Sequence, residues 1–173
     1  VTGVQTCALP ILYAAGIIPI YPENHAAMCG ATRMSDALCA AAEDRGFSRD
    51  LCSYARTDLG SIFTSVSPIP GGLPKPDLLV CCNNICDTVT KWYQELQRIF
   101  DVPLIFIDAP YQYDAEDHPE AIDYMRDQLE EAIQTVGRFL GKPIDREKLE
   151  ATLELLDPSS PSPSAAALCA DVS

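Results

Sequence analysis

The sequence predicts an α/β fold, a small parallel sheet with helices on both faces, and three observations carry that prediction. Short apolar runs alternate with longer amphipathic ones. Each apolar run exits into a polar or cysteine-bearing turn: P-E-N-H at 22–25, N-N-I-C at 83–86 and D-A-P-Y at 108–111. The run P-L-I-F-I at 103–107 is continuously apolar, as parallel strands buried on both faces are. Strands alternating with helices give a layered sheet, Rossmann- or flavodoxin-like in three layers.

Taken in order, residues 1–12 show no clear periodicity. V-T-G-V-Q-T-C-A-L-P-I resembles a terminus produced by read-through or misassembly in environmental sequence data, so 1–12 is set apart as non-native, Cys7 with it. Ala14-Ala15-Gly16 reads as a helix end with Gly as its stop. Residues 17–21 read as a short buried strand interrupted by Pro19. Ser35 or Asp36 caps a helix through Ala42 to Arg45, with Ala37, Leu38, Ala41 and Ala42 on one face and Gly46 as its end. Ser48 and Asp50 are caps for a helix carrying Tyr54, Ala55, Leu59, Ile62 and Phe63, with Cys52 in or just before its first turn. Residues 68–76 hold four of the 14 prolines and two glycines, a loop leading into a strand at 77–81.

A helix over 88–100 follows, starting near Asp87, with Val89, Trp92, Tyr93, Leu96 and Ile99 as its buried stripe. After the strand at 103–107, Asp117 or His118 begins a long helix with Pro119 at its first position. Its core face is Ile122, Met125, Leu129, Ile133, Val136 and Leu140, and Gly141 ends it. Asp145 opens a last amphipathic piece with Leu149, Leu153 and Leu156 on one side. The domain therefore spans 13–156. From Asp157 the text turns to D-P-S-S-P-S-P-S-A-A-A, a disordered or misread tail in which Cys169 carries little weight.

A chain of 173 residues with 47% apolar residues can bury a real core. Twelve Lys and Arg against 25 Asp and Glu give a net charge of −13, which argues against a nucleic-acid partner. Eight Cys in a chain of this length, with no evident secretory context, point to reduced thiols or metal ligation before disulfides. No Lys or Arg precedes Arg33, so the apolar start lacks the basic region of a signal peptide. That start is also short of the ~20 residues a membrane span needs. The expectation is a cytoplasmic protein that does not enter the membrane.

The chemistry gathers in D-L-L-V-C-C-N-N-I-C-D-T-V-T-K-W-Y at 77–93. Ligands bind at the carboxyl ends of strands in open α/β sheets. A thiol-bearing turn there suggests a metal or cluster ligand or a redox thiol, weighed against plain burial of a small hydrophobe. Cys52, at a helix start, sits where the helix dipole favours a thiolate. Cys39, inside a helical run, reads as packing.

Three segments, Y-P-E-N-H-A-A-M-C-G-A (21–31), L-C-S-Y-A-R-T-D-L-G (51–60) and C-C-N-N-I-C-D-T-V-T-K-W-Y (81–93), resemble the 2-hydroxyacyl-CoA dehydratase and benzoyl-CoA reductase subunit family, in the right order and at plausible spacing. The resemblance implies α/β domains and a [4Fe–4S] cluster held by three cysteines. It places Cys52 in a C-x-[YF]-x-[RK]-like motif and Cys86 in a C-D motif after a strand, with the third ligand in a later domain. This chain then reads as an N-terminal fragment, one domain of a larger subunit, with two of three ligands. Two thiolates fall short of the about four ligands such clusters take, so the fragment alone is expected to be inactive.

The implied reaction is radical elimination of water from a 2-hydroxyacyl-CoA. The implied partners are the acyl-CoA substrate, a second homologous subunit in a heterodimer, and an ATP-hydrolysing iron–sulfur activator that supplies a low-potential electron. Glu23 and His25 are the candidates for the base that takes the β-hydrogen or for orienting substrate, against a turn and cap role. Arg56, one turn after Cys52, is a candidate for hydrogen bonds to the cluster or thioester, against pairing with Asp58 or Asp87.

Two other readings stand beside this one. A benzoyl-CoA reductase-type or double-cubane cluster subunit would share the same motifs. A non-catalytic α/β module with reactive thiols or zinc on Cys81, Cys82 and Cys86 is the third reading, its zinc form weakened because C-C-x3-C has no matching C-x2-C partner in the sequence. G-x-G-x-x-G and P-loop motifs are also absent from the sequence.

Overall fold

The computed structural model describes residues 8–111, 114 and 118–156. Cys7, Asp117, Cys169 and the tail from Asp157 lie outside them. Among the described residues the order is α1 (Leu9–Ala14), α2 (Pro22–Ala31), α3 (Ser35–Glu43), α4 (Ser53–Thr64), β1 (Leu79–Cys82), α5 (Asp87–Phe100), β2 (Leu104–Ile107), α6 (Pro119–Leu140) and α7 (Arg146–Leu156). β1 and β2 form a two-stranded parallel sheet joined through α5, so the fold is α/β. The chain divides into two compact units, Ile20–Leu104 and Val1–Pro19 with Ile105–Ser173.

In the unit Ile20–Leu104, α4 is the hub and packs against α2, α3 and α5. Its five consecutive residues Thr57, Asp58, Leu59, Gly60 and Ser61 are all buried, so helix surrounds it on more than one side. Gly60 is what lets α3 approach. A Cβ at that position would lie 1.9 Å from the Leu38 carbonyl oxygen. Beyond α3 the chain reverses at Gly46, φ +97°, and Phe47 stacks on Phe63 with centroids 5.8 Å apart. α5 buries Val89, Trp92, Tyr93 and Leu96, four of the five residues its periodicity marks, and packs on β1. Leu79, Cys81 and Cys82 are buried in β1.

In the other unit α1 packs on α7. Gly16, φ +73°, ends α1 as its sequence suggests. α6 begins at Pro119, with His118 as its cap residue. It buries Ala132, Val136 and Gly137, while Ile122 at its start is 48% exposed. The apolar stripe is continuous, but only its C-terminal half is covered among the described residues.

One expected strand is absent. Residues 17–21 form no strand. Pro19 has no N–H to give to a ladder, and Ile18 and Ile20 are 69% and 49% exposed, so burial does not reward pairing there. The expected polar turn at 22–25 is instead the first turn of α2, with Pro22 at the position where a missing N–H costs nothing. β2 alternates, with Ile105 and Ile107 buried and Phe106 40% exposed, rather than being buried on both faces.

Candidate functional site

Two cysteines stand at helix starts. Cys52 is the N-cap residue of α4 and Cys86 that of α5, and both are exposed. Neither position has a side-chain capping hydrogen bond. A helix start leaves backbone N–H groups without partners inside the helix. An exposed thiol there can be reached by a metal.

The other described cysteines differ. Cys29, Cys81 and Cys82 are buried, and burial pushes the Cys81 thiol up to about 12, with the neighbouring Cys82 and Glu23 charges adding to it. Burial, with the Asp58 charge, raises Cys29 as well. Cys39 is half-buried against the start of α4, its sulfur 3.4 Å from Thr57 Oγ1 and 3.7 Å from the Ser53 carbonyl oxygen. Among the described residues no three His, Cys, Asp or Glu side chains gather as a metal site. A zinc site on Cys81, Cys82 and Cys86 therefore has no geometric support.

Arg56 holds the turn that delivers Cys52. Its Nε–H donates to the Leu51 carbonyl at 3.0 Å, and Nη1 pairs with Glu43. Glu43 also binds Arg49, whose guanidinium holds that carboxyl below the usual range. The acid that Arg56 meets is thus on α3, and is neither Asp58 nor Asp87.

His25 is 2% exposed and Asp58 1%. His25 Nδ1 lies 3.2 Å from Asp58 Oδ1, and its Nε2 lies 2.9 Å from Ser67 Oγ and 3.7 Å from Cys29 Sγ. With Nδ1–H donating to Asp58, Nε2 accepts from the Ser67 hydroxyl. Trp92 Nε1–H donates to the second Asp58 oxygen at 3.1 Å. Every polar atom of this dry cluster therefore has a partner, as buried polar groups require. Ser67 Oγ in turn accepts the Ile69 N–H, so the network also locks the turn after α4.

Glu23, half-buried, accepts the Tyr93 hydroxyl at 3.2 and 3.3 Å. Of the residues singled out from sequence, Glu23, His25, Cys52, Arg56 and Cys86 all fall in the one compact unit. Asp58, Ser67 and the Trp92 N–H were missed as a group. The available signal was an acid inside an otherwise small or apolar helical run, together with an indole N–H that needs an acceptor once buried.

The unit is thus an α/β domain with exposed thiols at two helix starts, on helices tied to a common buried polar cluster. The chain belongs to the family described as 2-hydroxyglutaryl-CoA dehydratase, D-component, whose model matches residues 7–159. It is 42% identical over 141 residues to an (R)-2-hydroxyisocaproyl-CoA dehydratase alpha subunit of Clostridioides difficile, covering 79% of this chain and 33% of that protein. To an (R)-phenyllactyl-CoA dehydratase alpha subunit of Clostridium sporogenes it is 37% identical over 145 residues, 84% of this chain and 35% of that one. A benzoyl-CoA reductase component of Thauera aromatica is 29% identical over 135 residues, 77% of this chain and 31% of that protein. The chain thus spans about a third of the length of these curated relatives. No helix among the described residues is long and apolar enough to cross a membrane.

Proposed function

We propose that this chain is part of the cluster-bearing subunit of a 2-hydroxyacyl-CoA dehydratase, with Cys52 and Cys86 supplying two thiolate ligands to a [4Fe–4S] cluster. The observation that carries this reading is their placement: both exposed, both at helix starts, and both inside the stretch that the family model matches. The donor set fits, because iron–sulfur clusters take Cys thiolates. When bound, such a cluster passes single electrons and acts as a Lewis acid towards a substrate oxygen. Further ligands come from elsewhere in the subunit.

The chain's own residues take distinct parts. Arg56 holds the Leu51 carbonyl and so fixes the backbone from which Cys52 projects. Glu23, steadied by the Tyr93 hydroxyl, is the half-buried carboxylate available as base or substrate-orienting group. His25 has both ring nitrogens engaged in the core, which suits holding α2, and with it Glu23, in place. The dehydratase alpha-subunit names of the more similar relatives favour a 2-hydroxyacyl-CoA substrate and a second subunit; an ATP-hydrolysing iron–sulfur activator as a further partner rests on the motif resemblance alone. Six described cysteines in no disulfide suit the cytoplasm.

Anaerobic iron–sulfide reconstitution of the complete subunit tests the reading. Cys52→Ala and Cys86→Ala are each expected to lower bound iron and acid-labile sulfide sharply and to bleach the cluster's visible absorbance. Undiminished iron in both variants removes the assignment. Reduction of an aromatic acyl-CoA by the reconstituted complex, without dehydration of a 2-hydroxyacyl-CoA, would replace the dehydratase by the reductase reading.

A further inference from the structure

We infer that Asp58 is a positioning residue for the Cys52–Cys86 pair, because by accepting the Trp92 indole N–H it joins the two helices that begin at those cysteines. The inference rests on reading Cys52 and Cys86 as a ligand pair. Asp58 lies six residues beyond Cys52 on α4, and Trp92 six residues beyond Cys86 on α5. Each is about 9 Å of helix rise from its cysteine. The tie between them, Trp92 Nε1–H to Asp58 Oδ2 at 3.1 Å, is therefore made at matched depths along the two helices.

The physical case for positioning is directionality. Apolar packing tolerates small slides and rotations of one helix on another, whereas a hydrogen bond to a carboxylate in a dry core fixes distance and angle. Asp58 and Trp92 are 1% and 4% exposed, so water does not compete for the bond. α5 meets α4 over a smaller contact than α3 does, so a directional tie carries more of the α4–α5 relation, beside the hold that β1 and the Tyr93–Glu23 bond give α5. Asp58 cannot swing away to make that tie elsewhere, because His25 Nδ1 at 3.2 Å occupies its other oxygen and Ser67 holds His25 from behind. A cluster needs its thiolates at one fixed separation, and this bond sets the relation between the helices that carry them.

The test uses the complete, metal-free subunit and the short bifunctional thiol reagent dibromobimane, with peptide mapping of the Cys52–Cys86 cross-link. The wild type is expected to form that cross-link. Trp92→Phe, which keeps a ring but removes the N–H, is expected to slow it roughly tenfold, the change that follows loss of a hydrogen bond to a charged acceptor. Asp58→Ala should do the same. Asp58→Asn should retain most of the rate, because its carbonyl oxygen still accepts the indole N–H and His25 can offer Nδ1 as acceptor to the amide. Phe47→Leu, which weakens the stack on Phe63 within the same unit and leaves the tie's partners in place, should leave the rate unaltered, which separates positioning from general loss of stability. Iron uptake on reconstitution should fall in the same order.

An unchanged cross-link in Trp92→Phe overturns the inference even if Asp58→Ala does not fold, as does the absence of any Cys52–Cys86 cross-link in the wild type. Iron retained by both Cys52→Ala and Cys86→Ala fails the ligand reading itself, a result recognisable apart from the cross-linking.

Discussion

Cys81 and Cys86 are separated by one short turn, yet they occupy opposite environments. Cys81 lies in β1, 1% exposed, and burial with the charges of Cys82 and Glu23 pushes its thiol up to about 12. Cys86 stands past the strand, exposed, as the N-cap residue of α5. Cys52 repeats the second environment on α4. The adjacent pair Cys81-Cys82, the densest thiol cluster in the sequence, is core, and the ligand-like cysteines are those that open helices. Which thiols are reachable here is set by where the backbone ends a strand or starts a helix, more than by how many cysteines crowd together.

The comparison depends on a rigid frame behind the helix starts, and Gly60 is where that frame breaks most easily. Gly60→Ala removes the glycine penalty of a helix interior, worth about 1 kcal/mol, and on that ground alone would stabilise α4. A Cβ placed 1.9 Å from the Leu38 carbonyl oxygen reverses the sign. The obstacle is backbone, so α3 itself has to move. A net loss of about 3 kcal/mol is expected, read by denaturant unfolding. A stable Gly60→Ala variant would show that the α3–α4 contact is not the support described.

The sealed thiol gives a smaller effect with a defined pH window. The Cys81 pKa is raised from 9.0 to about 12 in the folded protein. Between those values the folded state keeps a proton that the unfolded state releases, so stability falls as pH rises through that window and is unaffected below it. Cys81→Ala should abolish this component while costing roughly 1 kcal/mol at neutral pH for the lost buried sulfur. The measurement is denaturant unfolding at several pH values from 8 upward. An identical slope in wild type and variant would mean that Cys81 ionises as freely as an exposed thiol.

Much of this was legible in the sequence, and the reasons for the rest are specific. The period of Val89, Trp92, Tyr93 and Leu96 marks the buried face of α5, because one packed helix face imposes one period. The stop at Gly16 and the Pro119 start are equally local signals, and the structure carries both. The strand at 17–21 is not there, because an apolar run reports burial only when something covers it, and Pro19 removes a donor besides. The site divides along the same line. Cys52 and Cys86 could be singled out from their helix starts and motifs. Asp58 could not, since its partners His25 and Trp92 lie 33 and 34 residues away and only packing brings them together. Arg56 was matched with the wrong acids for the same reason, Glu43 being 13 residues back on another helix.

Arg56→Ala refines the open side of the comparison with a local effect. It removes the Leu51 carbonyl contact and the Glu43 pair, both at the turn before Cys52. Backbone amide exchange over the first turns of α4 should rise roughly threefold through local opening, with α5 unchanged. Equal acceleration in both helices would point to general loosening of the unit instead.

The smallest effect is also the most telling, because its sign runs against ordinary expectation. Cys52 and Cys86 occupy N-cap positions, where Ser, Thr, Asp and Asn normally accept a hydrogen bond from the helix start. Neither cysteine makes such a bond. Cys52→Ser and Cys86→Ser each supply a better cap in an exposed position, so each should raise stability by about 0.5 kcal/mol while weakening the metal-binding capacity proposed for the pair. Thermal unfolding of the metal-free subunit reads the first change, and iron content after reconstitution reads the second. Two helices that each forgo a good cap for a thiol are what ligand duty at both starts would produce. If serine destabilises either position, the thiol is contributing to the fold there, and the contrast with Cys81 narrows accordingly.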